Sequence, residues 1–165
     1  MKHLYSPWRE NYSIDTTHAK YENVSADEGV FCNKLRDNND EKNYIIKRYK
    51  HNVILMNLYP YNAGHLLIIP KDHIADLDKM NPEARAELIE LISQSTTILT
   101  KELEAQGINV GLNLGRAAGA GIPTHLHFHV LPRYTGDTNF LPTLAETKQI
   151  SFDLNKMYQK LKKAF

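Results

Sequence analysis

The sequence predicts an α+β fold built on a mainly antiparallel sheet of about five strands, with one long helix and a C-terminal helix. Three observations carry this. The patterned segments run strands, helix, strands, helix, without βαβ alternation. The segment that opens at Asn81-Pro82-Glu83 holds a helical stripe that Gly107 ends. The segment His125-Leu126-His127-Phe128-His129-Val130-Leu131 alternates at period two, as a strand does.

In chain order, Met1 to about Asn43 is mixed and polar with no clear period. Within it, Asp37 to Lys42 reads as a polar loop. Tyr44–Tyr49 and Val53–Leu58 form a strand pair with His51-Asn52 at the turn. Pro60, Asn62 and Gly64 mark a loop, and His65–Ile69 is a strand stopped by Pro70. At the helix start Asn81 accepts from free N–H groups, Pro82 suits the first position, and Glu83 favours the positive end. Ala84, Leu88, Leu91, Ile92, Ser95, Leu99 and Leu103 form the stripe. Asn109–Leu114 is a strand, Gly115–Gly121 a small-residue loop, and His125–Leu131 a strand ended by Pro132. A C-terminal helix runs from about Thr143 to Lys163, with Leu154, Met157, Tyr158 and Leu161 on one side.

The 165 residues fit one domain, 1–165, with no internal repeat or linker. A net charge of +1 gives no general attraction to nucleic acid or to an anionic membrane, so phosphate binding requires a local site. Cys32 is the single cysteine, which excludes an intrachain disulfide and suits a reducing compartment. The N-terminus has no apolar leader, and apolar runs such as Leu66–Ile69 are too short to span a bilayer. A cytoplasmic protein is expected.

The histidine strand carries the chemistry. Alternation puts His125, His127 and His129 on one face, while Leu126, Phe128 and Val130 face the core. A single half-exposed strand histidine needs no explanation; three in a row repel if charged and are expected to gain little burial. Two chemistries use such a cluster. A His-x-His pair can present two nitrogens to zinc, and a neutral imidazole can attack a phosphoryl or acyl centre. The preceding loop, Gly115-Arg116-Ala117-Ala118-Gly119-Ala120-Gly121, favours phosphate, because glycines let backbone N–H groups approach an anion and Arg116 adds charge. It is no dinucleotide fingerprint, since Pro123 and a strand follow where a helix is needed.

These residues resemble the histidine triad family, whose pattern is His-φ-His-φ-His-φ-φ with φ apolar. His125 to Leu131 matches at every position, and Pro132-Arg133 continues as in many members. Upstream, Asn57, Ala63 to Ile68, Pro70 and His73 resemble the family's strand pair, so the likeness covers roughly residues 28 to 142. Three further stretches resemble the bacterial diadenosine tetraphosphate phosphorylase-like branch: Ser6-Pro7-Trp8-Arg9, Asn113 to Gly121, and Gly136-Asp137-Thr138-Asn139-Phe140. The resemblance implies a histidine-triad-like fold, a nucleoside-phosphate hydrolase or transferase acting on adenosine nucleotides, and a homodimer on a shared antiparallel sheet.

It also implies roles. His127 is the nucleophile that takes up the nucleotidyl group. His129 hydrogen-bonds phosphate oxygens and helps protonate the leaving group, as a histidine with a pKa near neutrality suits. His125 orients the others, and His65 supports the same phosphate from across the site. Asn57 binds the ribose hydroxyls, and Asn113 is a polar neighbour of the phosphates. Phe31, Leu55, Leu58 and Leu67 are candidates for the purine slot. Many members have a Gln and a Ser or Thr just before the triad; here Gly121 and Ile122 stand there in a loop one residue longer. Backbone N–H groups of the loop, around Gly119 and Gly121, or Thr124, then take that place.

Some members carry a Cys-x-x-Cys zinc knuckle, but Gly29-Val30-Phe31-Cys32 lacks the first cysteine. Cys32, His73 and His125 are one ligand short of a closed tetrahedral site. No metal and no cofactor is expected, Mg2+ entering only with the polyphosphate substrate. Alternative activities are a nucleoside phosphoramidase, against which the loop and the Gly136–Phe140 tail weigh, and a non-catalytic nucleotide sensor, against which the intact triad weighs.

Overall fold

The computed structural model describes residues 29–145 and 148–165. Helix α1 (Val30–Arg36) is followed by strands β1 (Ile45–Arg48), β2 (Asn52–Met56) and β3 (Leu66–Pro70). The long helix α2 (Pro82–Leu103), β4 (Gly107–Leu112), β5 (Phe128–Arg133), a short α3 (Leu141–Ala145) and α4 (Leu154–Ala164) complete the order. The five strands form one sheet in the order β1-β2-β3-β5-β4, antiparallel at every pairing. The expected α+β architecture is present.

Every residue of β2 and β3 is buried because the sheet is covered on both faces. Ile54, Met56, Leu66, Ile68 and Val130 pack with Leu88, Leu91 and Leu99 of α2 and with Tyr158 and Leu161 of α4. On the opposite face Val53, Leu55, Leu67 and Ile69 pack with Phe31 and, at the edge, Leu35 of α1. Period two thus sorts each strand between a helix-backed core and a thinner second layer that forms the site.

Asn81 caps α2 as expected, its side chain accepting from the N–H of Glu83 at 2.8 Å. The far end differs from the expectation: Glu104, in the left-handed region at φ 54°, caps the helix. Gly107 instead opens β4, paired with Arg133. From inside α2, Glu87 accepts from the backbone N–H groups of His51 at 2.9 Å and Asn52 at 2.8 Å, tying the β1–β2 turn to the helix. Gly64 sits at φ +83°, a conformation side chains rarely adopt, and a Cβ there would press on Leu103 Cδ1. The chain therefore passes tightly under α2 before His65.

Several boundaries move. α1 lies inside the stretch read as aperiodic, since seven residues show too few turns for a stripe. The expected Thr143–Lys163 helix is two helices, with α4 starting at Leu154 and capped by Asp153, whose side chain accepts from the N–H of Lys156 at 2.9 Å. The histidine strand begins three residues later than expected. Leu126 N–H donates to the carbonyl of Ile74 at 2.7 Å, and regular pairing starts at Phe128 opposite Ile68. The stretch Ser6–Arg9 lies outside the described residues. Among the described residues no helix is long and apolar enough to cross a membrane.

Candidate active site

The triad faces the second layer, opposite Leu126, Phe128 and Val130, as alternation requires. The expectation of little burial does not hold. His125 is 1% exposed and His127 6%, because α1 lies over them: the Phe31 ring stands 5.4 Å from both imidazoles. His127 and His129 line a cleft of about 320 Å³, and His125 lies beneath them outside its lining.

Tautomers follow from partners whose roles are fixed. His127 Nδ1 lies 2.8 Å from the carbonyl oxygen of His125, which only accepts, so Nδ1 holds the proton and donates. Nε2 of His127 is left with its lone pair, and burial holds the ring's pKa below the ordinary histidine value. His125 Nε2 likewise donates to the carbonyl of Pro70 at 2.9 Å, which fixes this ring beneath the nucleophile. Burial pushes the His125 pKa down to about 4.

His129 is oriented through a second imidazole. The backbone N–H of Tyr61 donates to His65 Nδ1 at 3.1 Å, so His65 carries its proton on Nε2. That nitrogen lies 2.9 Å from His129 Nδ1 and donates to it, leaving the His129 proton on Nε2. His129 Nε2 is buried and has no hydrogen-bond partner among the described residues. An orphaned buried donor is costly unless a ligand satisfies it. Burial pushes the His129 pKa down to about 4, not near neutrality as expected from the sequence, so this ring is a neutral donor at pH 7 in the free protein. His65, fully buried, stands behind His129 and does not line the cleft. It supports His129, where the sequence had suggested a phosphate contact.

The cleft gathers most of the other expected residues. Asn57, Asn113, Gly119 and Gly121 line it on the polar side, and Phe31, Leu55, Leu58 and Leu67 on the apolar side. Thr124 is not among the lining residues, and the N–H of Gly119, expected as a donor to phosphate, is spent on the carbonyl of Arg116 at 2.9 Å, so the N–H of Gly121 is left as the local replacement for a side-chain donor. Asn57 is partly engaged already: its Oδ1 accepts from Tyr59 N–H at 2.9 Å and its Nδ2 lies 3.3 Å from His65 Nδ1. One amide N–H of Asn57 is left for a ligand.

Sequence reasoning missed Tyr61 and Lys34, both of which line the cleft. The Tyr61 ring stacks on His129, with centroids 5.7 Å apart and planes 15° apart. Its flanks, Pro60 and Asn62, signalled only a turn. Lys34 was hidden with α1.

Behind the triad, the ligand atoms of Cys32, His73 and His125 lie within 4.8 Å of one another. Cys32 Sγ is 3.0 Å from His73 Nδ1 and 3.8 Å from His125 Nδ1. The knuckle's missing cysteine falls at Gly29, where a Cβ would lie 3.6 Å from Cys32 Sγ and 3.4 Å from His73 Nδ1. Three donors do not make a closed structural zinc site.

A model of the HIT domain matches residues 38–136. The chain is 33% identical over 150 residues to AP-4-A phosphorylase of Mycobacterium tuberculosis, covering 91% of this chain and 77% of that protein. It is 30% identical to an uncharacterised HIT-like protein of Methanocaldococcus jannaschii, over 75% of this chain and 92% of the other. Among solved structures, a zinc-bound histidine triad family protein from Mycobacterium smegmatis superposes with a TM-score of 0.67 at 25% identity, covering 85% of this chain and 94% of that one. With an intact triad on a matching sheet, this chain belongs to the histidine triad (HIT) family.

Proposed function

We propose that the protein cleaves dinucleoside polyphosphates of the diadenosine tetraphosphate type through a covalent nucleotidyl-His127 intermediate. The observation that carries this is the pair of imidazole nitrogens in one cleft. His127 Nε2 offers a lone pair, because Nδ1 is tied to the His125 carbonyl. His129 Nε2 offers an unsatisfied N–H. One suits attack on an α-phosphorus and the other suits the oxygen that departs.

In the first step the His127 Nε2 lone pair forms the N–P bond while the bond from phosphorus to the bridging oxygen breaks. The leaving nucleotide departs with the electron pair, its oxygen accepting from His129 Nε2–H. A neutral nucleophile brings no second negative charge to a crowded phosphate. The His125 carbonyl stabilises the positive charge that develops on His127. In the second step phosphate, or water that gives up its proton to solvent, forms a new P–O bond, the N–P bond breaks, and His127 regains its lone pair. The backbone N–H of Gly121 suits the non-bridging oxygens, since those of Ala118, Gly119 and Ala120 already donate to the carbonyls of Gly115 and Arg116. The Asn57 amide suits the ribose hydroxyls, and the Phe31–Leu55–Leu67 wall suits the base. The AP-4-A phosphorylase of M. tuberculosis, at 33% identity, supports the substrate class.

Product analysis with diadenosine tetraphosphate tests the reading. ADP plus ATP in the presence of phosphate means phosphorolysis, and AMP plus ATP without phosphate means hydrolysis. No cleavage under either condition refutes it. We also propose a cytoplasmic homodimer joined through β4, the sheet edge that exposes Val110 at 45%. A one-chain mass in solution at micromolar concentration contradicts the dimer.

A further inference from the structure

We propose that Lys34 reads the base of the bound nucleotide, its ammonium donating to an acceptor edge and so favouring guanine over adenine; this rests on the nucleotide reading of the cleft above. Lys34 follows Val30 by four positions and Phe31 by three, so the three share one face of α1, and all line the cleft. Helical side chains lean toward the helix N-terminus, which carries the Lys34 stem back over Phe31 and Val30. The Phe31 ring meets His127, with 5.4 Å between centroids. A phosphate at His127 therefore sends its base along a wall that begins at Phe31 and continues to Lys34. Leu55 and Leu67, packed with Phe31, line the same slot.

Among the described residues lining this cleft, Lys34 is the one with a full charge. No hydrogen bond or ion pair holds its ammonium among the described residues. The acidic group acting on it is Asp37, and that carboxylate is engaged by Lys42 Nζ at 3.2 Å and by the N–H of Asn39 at 3.0 Å. Burial lowers the Lys34 pKa, so the ammonium is poorly solvated where it stands. A cation in a half-buried apolar slot is costly until an acceptor reaches it.

An ammonium has three donors and no acceptor. Guanine presents N7 and O6, both acceptors, on one edge. Adenine presents N7 beside the N6 amino group, a donor that an ammonium repels. The slot is otherwise apolar and tells purines apart poorly by shape, so this one charge decides between them.

The test is a titration of wild type and Lys34→Met with GMP and AMP, beside turnover of diguanosine and diadenosine tetraphosphate. Methionine keeps the unbranched stem and removes the charge; Lys34→Arg restores donors. The ratio of AMP to GMP Kd is expected to fall about tenfold in Lys34→Met and to hold in Lys34→Arg. A change below about twofold, or an equal weakening of both nucleotides, overturns the inference, the second meaning a phosphate contact. Binding without cleavage of either dinucleotide refutes the catalytic reading alone and leaves the Kd ratio decisive. Failure to bind either mononucleotide overturns both.

Discussion

His65 Nε2 lies 2.9 Å from His129 Nδ1, and this hydrogen bond fixes which nitrogen of His129 carries its proton. The order begins at a backbone N–H, that of Tyr61, whose role as donor is unambiguous. Removing His65 thus changes catalysis without removing a group that touches substrate. For His65→Leu, kcat should fall about 10- to 100-fold with KM little changed, because His129 is free to take the wrong tautomer. His65→Gln, which accepts from Tyr61 and donates to His129, should recover part of the loss. Steady-state kinetics on both variants check it; equal loss in the two contradicts the tautomer account.

The same burial sets the response to pH. His125 and His129 titrate at about 4 in the folded protein, against an ordinary value of 6.5. Between these values the unfolded chain binds more protons, so stability rises with pH there and falls as pH drops from 6.5 toward 4. Above 6.5 both forms are neutral and the contribution is flat. The lowered carboxylates Asp37, Asp137, Glu83 and Glu87 act in the same direction only below their ordinary values of 3.8 and 4.5. Thermal melts from pH 8 to 4 should therefore show a Tm loss beginning near 6.5, reduced in His129→Phe. The acid limb of kcat/KM, which reports neutral His127 in the free protein, should also lie below 6.5.

Much of this site was legible in the sequence, and the limits have physical causes. Period two placed the three histidines on one face, and the structure keeps them there, because alternation is a property of the backbone alone. The burial of His127 was not legible, since it depends on Phe31 from a seven-residue helix too short for a periodic signal. The Asn81-Pro82 start of α2 was read correctly from local hydrogen bonding. Its end at Glu104 was not, because a non-glycine left-handed cap leaves no mark in composition. The depressed pKa of His129 arises first from burial by long-range packing, with the neighbouring His127 adding in the same direction.

Asn57 should determine selectivity at the sugar. Wild type should prefer ribonucleotide to 2′-deoxyribonucleotide substrates, and Asn57→Leu should erase most of that preference in kcat/KM, since an amide left without its hydroxyl penalises the deoxy analogue. The variant also loses the Tyr59 N–H and His65 contacts, so total activity falls as well. The ratio between the two sugars is the diagnostic quantity; equal discrimination in both proteins shows that Asn57 does not read the ribose.

With Gly29 in place of the knuckle's first cysteine, the Cys32–His73–His125 cluster is expected not to retain structural zinc. The Gly29 backbone, at φ −63° and ψ 147°, suits any residue, and a Cβ there lies 3.1 Å from His73 Cε1, so the His73 ring must shift slightly to admit a side chain. After dialysis against a chelator and then limiting zinc, wild type should retain well under one equivalent. Gly29→Cys should retain about one, and melt higher with zinc than without. Stoichiometric zinc in the wild-type chain would show that three protein ligands suffice here.

A covalent bond between His127 and the α-phosphorus fixes the stereochemical course of the reaction at that atom. A dinucleotide carrying one α-thiophosphate diastereomer is cleaved with phosphate, or with 18O-water, as acceptor, and the configuration of the product is read. Two in-line displacements, first by His127 Nε2 and then by the acceptor, give net retention, and His127→Gly gives no product at a measurable rate. Net inversion in the wild-type protein means a single displacement by the acceptor itself, and would contradict the nucleotidyl-His127 intermediate.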